Sequence, residues 1–360
     1  MVTEAHAEPI RARRNVSEVL LPAIGLALVA LVIVWLVINL IDDPPRFLQV
    51  TQIGLSQGAM YALVALGYTL VYGILELINF AHGDVFMIGG MITATIVLQV
   101  FHMPENPAFG VLMAAFLVSL VLSVAGCAAL NATVERAAYK PLRTAPRLAP
   151  LITAIGVSFI LENVAILWKG TRPVSLPVSE FAQGNGHVLF TVGTCPDCAK
   201  VTTDRAFVIL VTVPVLLVLV WLVRYTRQGK AMRATAQDKD AAAMMGIDVD
   251  RTISFTFLVA GALAGVGGTI FAFYASTISY STGFTLGLFA FTAAVLGGIG
   301  NLPGAVLGAV LIGLIQAWNE GLPWHTPGPA WTESIVFSIL ILILVFRPQG
   351  LLGEQTPEGG

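Results

Sequence analysis

Charge is what this chain of 360 residues has least of: Asp, Glu, Lys and Arg make up 11% of it, where a soluble domain carries about 25%. A solvated globular surface is thereby excluded. A formal net charge of −2 offers nothing to a polyanion and argues against a nucleic-acid partner. Cysteine is nearly absent, with three residues in all: Cys127 lies inside an apolar block, and Cys195 and Cys198 form a CPDC. No G-x-x-x-x-G-K-[ST] occurs, so the chain has no Walker loop with which to hold ATP. H-E-x-x-H and G-x-S-x-G are missing too, which removes the commonest signatures of an intramembrane protease or hydrolase.

Apolar length is what remains. Hydrophobic residues are 56% of the chain, the mean hydropathy is +0.84, and the apolar residues fall in blocks of about 20, the length that crosses a hydrocarbon core. The blocks lie near 19–41, 48–74, 80–101, 108–131, 148–168, 206–224, 252–278, 284–300, 303–320 and 331–346. This pattern predicts an all-α, polytopic transmembrane helix bundle, and the short alternating segments of a β-barrel are missing. Ten crossings result if every block spans. The two short blocks separated by "NLP" could instead be one broken or re-entrant element, giving eight or nine. The block at 19–41 is too long for a signal-peptide core and has no small-residue cleavage site after it, so it is read as a retained span.

Ten crossings put the N-terminal tail (1–18), the 132–147 and 225–251 loops and the C-terminal tail (347–360) on one side. That side holds most of the 19 basic residues, including Arg11, Arg13, Arg14, Arg136, Arg143, Arg227, Arg233 and Arg347, and is expected to be cytoplasmic. Segment 169–205 is then external. Its Cys195 and Cys198 suit a loop staple in an oxidising compartment. Zinc is a poor fit, since only His187 and Asp197 lie nearby.

The segment "GKAMRATAQDKDAAAMMGIDVDR", Gly229–Arg251, is polar and helical in propensity between two apolar spans. Asp240, Ala241 and Ala242 are followed, three residues later, by Gly246. Small alanines let a partner approach a short helix closely, and glycine permits the turn that ends it. Such an exposed helix suits docking into a groove, although alone it is also an ordinary alanine-rich surface loop.

Polar residues interrupt the second and third blocks. Glu76, Asn79, His82 and Asp84 fall within nine residues, and at 100° per residue they spread over about 200°, too wide for one helical seam. With Gly83 between the last two, 76–84 reads as an irregular junction, with Asp84 placed to cap a helix over Val85–Val100. Two roles compete: lining a path through the membrane, or satisfying helix ends that lipid cannot. Gln57, Tyr61 and Tyr68 share one helical face. Glu162 and Asn163 sit inside the fifth block. For all of these, interhelical hydrogen bonding competes with ligand contact. Gly261, Gly265 and Gly268, and Gly304 with Gly308, form small-residue stripes for close helix packing.

The acidic-Ala-Ala-x-x-x-Gly spacing matches the EAA loop of ABC-importer permeases, with Asp240 in place of the usual Glu. "GLSQGAMYALVALGYTLVYGILELINFAHGD" from Gly54, "LGGIGNLPGAVLGAVLIGLIQA" from Leu296 and "RPQGLLG" from Arg347 resemble the branched-chain amino acid permease family, LivH-type. The likeness covers most of 48–353. The longer external insert and the N-terminal tail depart from it. The resemblance implies an ABC-importer permease fold in the cell (inner) membrane, with both termini cytoplasmic by the charge distribution above. It further implies two ATPase subunits docking at 240–246, a homologous LivM-type permease subunit and an external solute-binding protein. Chemistry would belong to the ATPases, so no cofactor or metal is expected in this chain. Substrates would be branched-chain or related small amino acids. The alternatives are urea or short amides, or ion-coupled secondary transport using Glu76, Asp84 or Glu162, although no inverted repeat is visible.

Overall fold

A computed structural model describes residues 16–75, 79–104, 107–143, 145–146, 148–178, 187–192, 199–324, 326–347 and 349–353. Glu76, Arg147, Cys195, Cys198 and both tail ends (1–15 and 354–360) lie outside the described residues.

Each of the ten apolar blocks forms a helix. In chain order they are α1 (Val16–Asp42), α2 (Pro44–Leu75), α3 (Ala81–Thr95), α4 (Phe109–Val134), α5 (Leu148–Lys169) and α6 (Thr203–Tyr225). Two short polar helices follow, α7 (Arg227–Gln237) and α8 (Lys239–Met244). The bundle then resumes with α9 (Val249–Ala275), α10 (Thr282–Gly297), α11 (Leu302–Gly321) and α12 (Thr332–Phe346). α3 runs on as a π-turn over Ile96–Val100, and α4 as a π-turn over Glu135–Tyr139 and a 3₁₀ turn over Lys140–Leu142. Among the described residues, eight of the helical runs are long and apolar enough to cross a membrane; α10 and the Val29–Asp42 part of α1 are shorter. Helices dominate because a backbone without water must pair its own N–H and C=O groups.

Segment 169–205 contributes strands to two small antiparallel pairs. β1 (Val174–Ser175) pairs with β4 (Thr277–Ile278), and β2 (Val188–Val192) with β3 (Ala199–Thr202). Buried Arg205 ties the second pair to the bundle, donating to the Lys200 carbonyl and to Gln52 Oε1 at 3.3 and 3.2 Å.

The centre is α2, α3 and α9, buried over most of their apolar length, whereas α5, α6 and α12 are mostly exposed. Lipid gives apolar helices no reason to leave it, so association rests on close packing and interhelical hydrogen bonds. The small-residue stripes provide both. Gly261 and Gly265 of α9 lie on Cys127, Ala128 and Ser123 of α4, and Gly268 lies on the backbone of Phe86 and Gly90 of α3. Where the three helices meet, Thr93, Ser123 and Thr269 form a buried hydroxyl cluster, with Thr93–Ser123 at 3.1 Å and Thr93–Thr269 at 3.0 Å. Gly54 and Gly58 of α2 pack the same way on the backbone of α11.

The two blocks around "NLP" are separate helices rather than one broken element. α10 and α11 form an antiparallel hairpin in which Gly297 meets Gly304 and Ala293 meets Gly308. The turn is held by Asn301, whose Oδ1 accepts the Gly304 N–H at 3.0 Å and whose Nδ2 donates to the Leu352 carbonyl at 2.7 Å.

A Cβ at position 268 would stand 2.3 Å from the Phe86 carbonyl oxygen. Gly268→Val is therefore expected to force α3 and α9 apart at a cost of about 1–3 kcal/mol or more, read as a fall in the melting temperature in detergent. Gly156 of α5 has open space around its Cα, and Gly156→Ala should leave that temperature unchanged or raise it. Equal effects at the two positions would refute close approach at 268.

Candidate functional site

The helix break at the end of α2 is real, but shorter than the sequence suggests. The described part of α2 runs to Leu75, Asn79 and Phe80 are non-helical, and α3 already begins at Ala81, so His82, Gly83 and Asp84 are helical rather than part of an irregular junction. Asp84 is not the cap of a helix over Val85–Val100. Phe80 occupies that place without a side-chain cap, and Asp84 lies in the first helical turn. The reason is steric. Gly83 faces Gly283 and Gly287 of α10, where a Cβ would stand 2.4 Å from the Gly283 carbonyl oxygen, so the chain must enter helical geometry early to bring the starts of α3 and α10 together.

Around this meeting point the polar side chains take separate partners. Asn79 Oδ1 accepts from the Tyr139 hydroxyl at 2.7 Å. Asp84, fully buried, accepts through Oδ2 from the Ser158 hydroxyl of α5; its Oδ1 has no hydrogen-bond partner. His82, also fully buried, has no partner on either ring nitrogen. Its ring sits edge-on to Tyr68, with centroids 5.1 Å apart, and over Gly67, where any Cβ would collide with it.

The other polar candidates are scattered. Tyr61 gives its hydroxyl to Gln316 Oε1 of α11 at 2.5 Å, which is interhelical bonding. Gln57, one turn earlier, keeps Oε1 buried and unpaired. Glu162 is half-buried on α5, one turn beyond Ser158, while Asn163 is exposed and bonds only to the Phe159 carbonyl. Asp84 and Ser158 are thus brought together, and Gln57 and Tyr61 lie apart from them along α2.

The polar loop is a second locality. Asp238 caps α8, its Oδ1 accepting from the N–H groups of Asp240 and Ala241 at 2.9 Å each. Gly246 ends it with φ of +81°, and the Gly246 and Ile247 N–H groups close on the carbonyls of Ala243 and Ala242. Asp248 then caps α9 by accepting from Arg251 N–H at 3.0 Å. The start of α9 is pinned in turn. Buried Glu135 accepts from Arg143 and from Ser254 (2.9 Å), and Asp250 pairs with Arg143 and with Lys140 at 3.0 Å.

This architecture has relatives. The profile of a family described as "Branched-chain amino acid transport system / permease component" matches residues 50–345. The chain belongs to that family. It is 38% identical over 313 residues to the high-affinity branched-chain amino acid transport system permease protein LivH of Salmonella typhimurium, covering 87% of this chain and 97% of the relative. To BraD of Pseudomonas aeruginosa, a permease protein of the same description, it is 36% identical over 87% of this chain and 98% of the relative. The autoinducer 2 import system permease protein LsrC of Yersinia pseudotuberculosis is similar at 25% over 89% and 84%. No solved structure matches. The chain is therefore a multi-pass membrane permease subunit, and its relatives are transport components rather than enzymes.

Within the permease, the residues singled out in the loop are unequally placed. Asp240 is exposed and Ala241 half-buried, but Ala242 is turned inward and Gly246 forms the exit turn. What the loop presents is Ala243, Met244 and Met245, the two methionines 82% and 83% exposed. The sequence signal was there, a pair of adjacent methionines in a polar loop, but alanine spacing drew attention from it. Ser158 and Tyr139 were not legible, since they lie 74 and 60 positions from the groups they bind.

Tyr139→Phe strands a buried carbonyl oxygen on Asn79 and is expected to destabilise the permease by about 1–3 kcal/mol. Combined with Asn79→Leu, the cost should be well below the sum of the two. Strict additivity in melting temperatures would show that the pair is not bonded.

Proposed function

We propose that this permease is the membrane-spanning subunit of an ATP-driven importer in the cell (inner) membrane. It translocates branched-chain or related small amino acids delivered by an external solute-binding protein. A second, LivM-type permease subunit completes the pathway, two ATPase subunits supply the chemistry, and both termini face the cytoplasm. The observation that carries the reading is the α7–α8 loop in a chain with no Walker motif: a capped, rigid, polar projection between two apolar helices, ending in two exposed methionines. Methionine is flexible and polarizable, suited to filling a groove on a partner. The identity to LivH and BraD supports the substrate class.

On this reading Asp240, Ala241, Ala242 and Gly246 build the coupling segment, and Ala243, Met244 and Met245 make its contact with the ATPase. Asn79 and Tyr61, committed to Tyr139 and Gln316, brace the bundle. Gln57, His82, Asp84 and Glu162 retain uncommitted polar atoms and are the groups to meet a zwitterion as the helices part. Glu76 stays a candidate on sequence alone.

The test is leucine uptake and substrate-stimulated ATP hydrolysis in proteoliposomes holding the complete transporter. Met244→Arg with Met245→Arg is expected to lower both by roughly tenfold or more, as loss of interface anchors does, while the permease still inserts and assembles with its sister subunit. Ala242→Arg is a poor probe of docking, because that side chain is packed within its own loop. Full coupling in the double variant would reject the contact. Uptake of urea in place of leucine would reject the substrate class, and uptake driven by a pH gradient without ATPases would reject the importer.

A further inference from the structure

Two carboxylates lie at the polar junction with no cation to neutralise them. Asp84 and Glu162 form no ion pair among the described residues, and Glu162 stands close enough for its charge to act on Asp84. Buried charge is costly unless something pairs with it. Asp84 is fully buried and its Oδ1 has no partner. That oxygen is aimed at the start of α10: a Cβ on Gly283 would stand 2.6 Å from it. The start of α10 is itself unfinished. Ser281 precedes it without a side-chain cap, and Thr282 turns its N–H back to the Ser279 carbonyl. Among the described residues no side chain accepts from the N–H of Gly283 or Phe284. Free N–H groups at a helix start carry partial positive charge and bind carboxylates. An unpaired carboxylate oxygen and an uncapped helix start are therefore immediate neighbours, inside the bundle. His82 packs on Tyr68 and Gly67 instead.

An α-amino acid carries its ammonium and its carboxylate on one carbon, so its two charges need complementary groups side by side. Asp84 Oδ1 and the start of α10 are such a pair. We propose that they form the site where the permease holds the amino acid in transit: Asp84 and Glu162 take the ammonium, and the Gly283 and Phe284 N–H groups take the carboxylate. The way in is along α5. α3 and α10 are held together by Gly83 against Gly283 and Gly287. α5 is mostly exposed, and its single side-chain hydrogen bond to another helix among the described residues runs from Ser158 to Asp84 Oδ2. An outward shift of α5 breaks that bond and frees a second oxygen of Asp84. The ammonium then replaces a neutral donor with a charged one, and Glu162, carried on the shifting helix, closes on it from the other side. Phe284 is 56% exposed and offers apolar surface to the aliphatic side chain. This site deepens the proposed function and rests on it for the class of solute.

The complete transporter is reconstituted with ATP inside and leucine-loaded binding protein outside, and initial leucine uptake and ATP hydrolysis are measured on the same vesicles. Asp84→Asn keeps the shape of the side chain and an oxygen to accept from Ser158, and removes the charge. It is expected to lower the leucine moved per ATP hydrolysed by roughly tenfold or more, as loss of a hydrogen bond between charged partners does. Hydrolysis itself should stay near the wild-type rate, because the coupling loop is untouched. Glu162→Gln should lower the same quotient by less, since that group is only half-buried. Asn163→Ala, next in sequence but turned outward, should leave it unchanged. If Asp84→Asn does not assemble, Glu162→Gln carries the test. A wild-type quotient in either carboxylate variant would overturn the proposal. So would uptake and hydrolysis falling together in Asp84→Asn, which assigns Asp84 to bracing the bundle. A sodium requirement for wild-type uptake would overturn it as well, since the two carboxylates would then hold a metal cation in place of the ammonium. Failure of leucine uptake by the wild type is a different result, and would count against the proposed function instead.

Discussion

Everything in this permease hangs on how closely two backbones approach where α3 meets α9 and α10. Gly268 lies against the Phe86 carbonyl, and Gly83 against Gly283 and Gly287. In water such contacts would be one option among many, because burying large side chains is itself favourable. In lipid that gain vanishes, and dispersion and hydrogen bonds at short range are what remain. The hydroxyl cluster of Thr93, Ser123 and Thr269 sits at the same crossing for the same reason. A side chain at either glycine contact would not merely loosen the bundle; it would also separate the helix starts on which His82 and Asp84 are carried.

That constraint explains what was legible in the sequence. Length and hydropathy located all ten apolar helices, because the thickness of a bilayer is written directly into the chain as uninterrupted apolar runs. The glycine stripes announced the packing faces. Gly246 announced the turn it makes, since few other residues tolerate its φ of +81°. Partners remote in sequence were invisible. Nothing near Asp84 points to Ser158, and nothing near Asn79 points to Tyr139. The error at 76–84 had a physical source as well. A 200° spread of polar residues argues for broken helix only if all of them must share one seam, whereas here Asn79, His82 and Asp84 are each buried against different neighbours and helical geometry resumes at Ala81.

The loop shows the same division between pattern and placement. Spacing identified the segment, but its exposure could be known only in three dimensions. Asp238 and Gly246 fix α8 at both ends, which turns Ala242 inward and leaves the two methionines outward. The rigid projection does not end there. Asp248 caps α9, and Asp250 joins Arg143, which joins Glu135 at the start of the π-turn that carries Tyr139. Tyr139 holds Asn79, two residues before α3. These contacts form one unbroken set from the loop to the polar junction. A displacement at α8 can reach α3 without passing through the lipid-facing helices.

The short helix α10 completes that geometry from the other side. Its start is locked to α3 by glycine contacts, and its end receives the segment after α12: Leu351 and Leu352 donate their N–H groups to the carbonyls of Leu296 and Gly297 at 2.8 and 3.0 Å. Those carbonyls belong to the last turn of α10 and would otherwise lack helical partners. Gly298 and Gly350, with φ of +110° and +74°, let the two strands of chain touch, since a Cβ at 350 would stand 2.5 Å from the Gly298 nitrogen. Leu351 and Leu352 of the "RPQGLLG" motif are thus a cap supplied from 55 positions further along the chain. Because the capped end leads directly into the α10–α11 turn, α10 is fixed both at the polar junction and at its opposite end. It cannot shift at one end without disturbing the other, so a helix too short to be an obvious span still links the two ends of the machine.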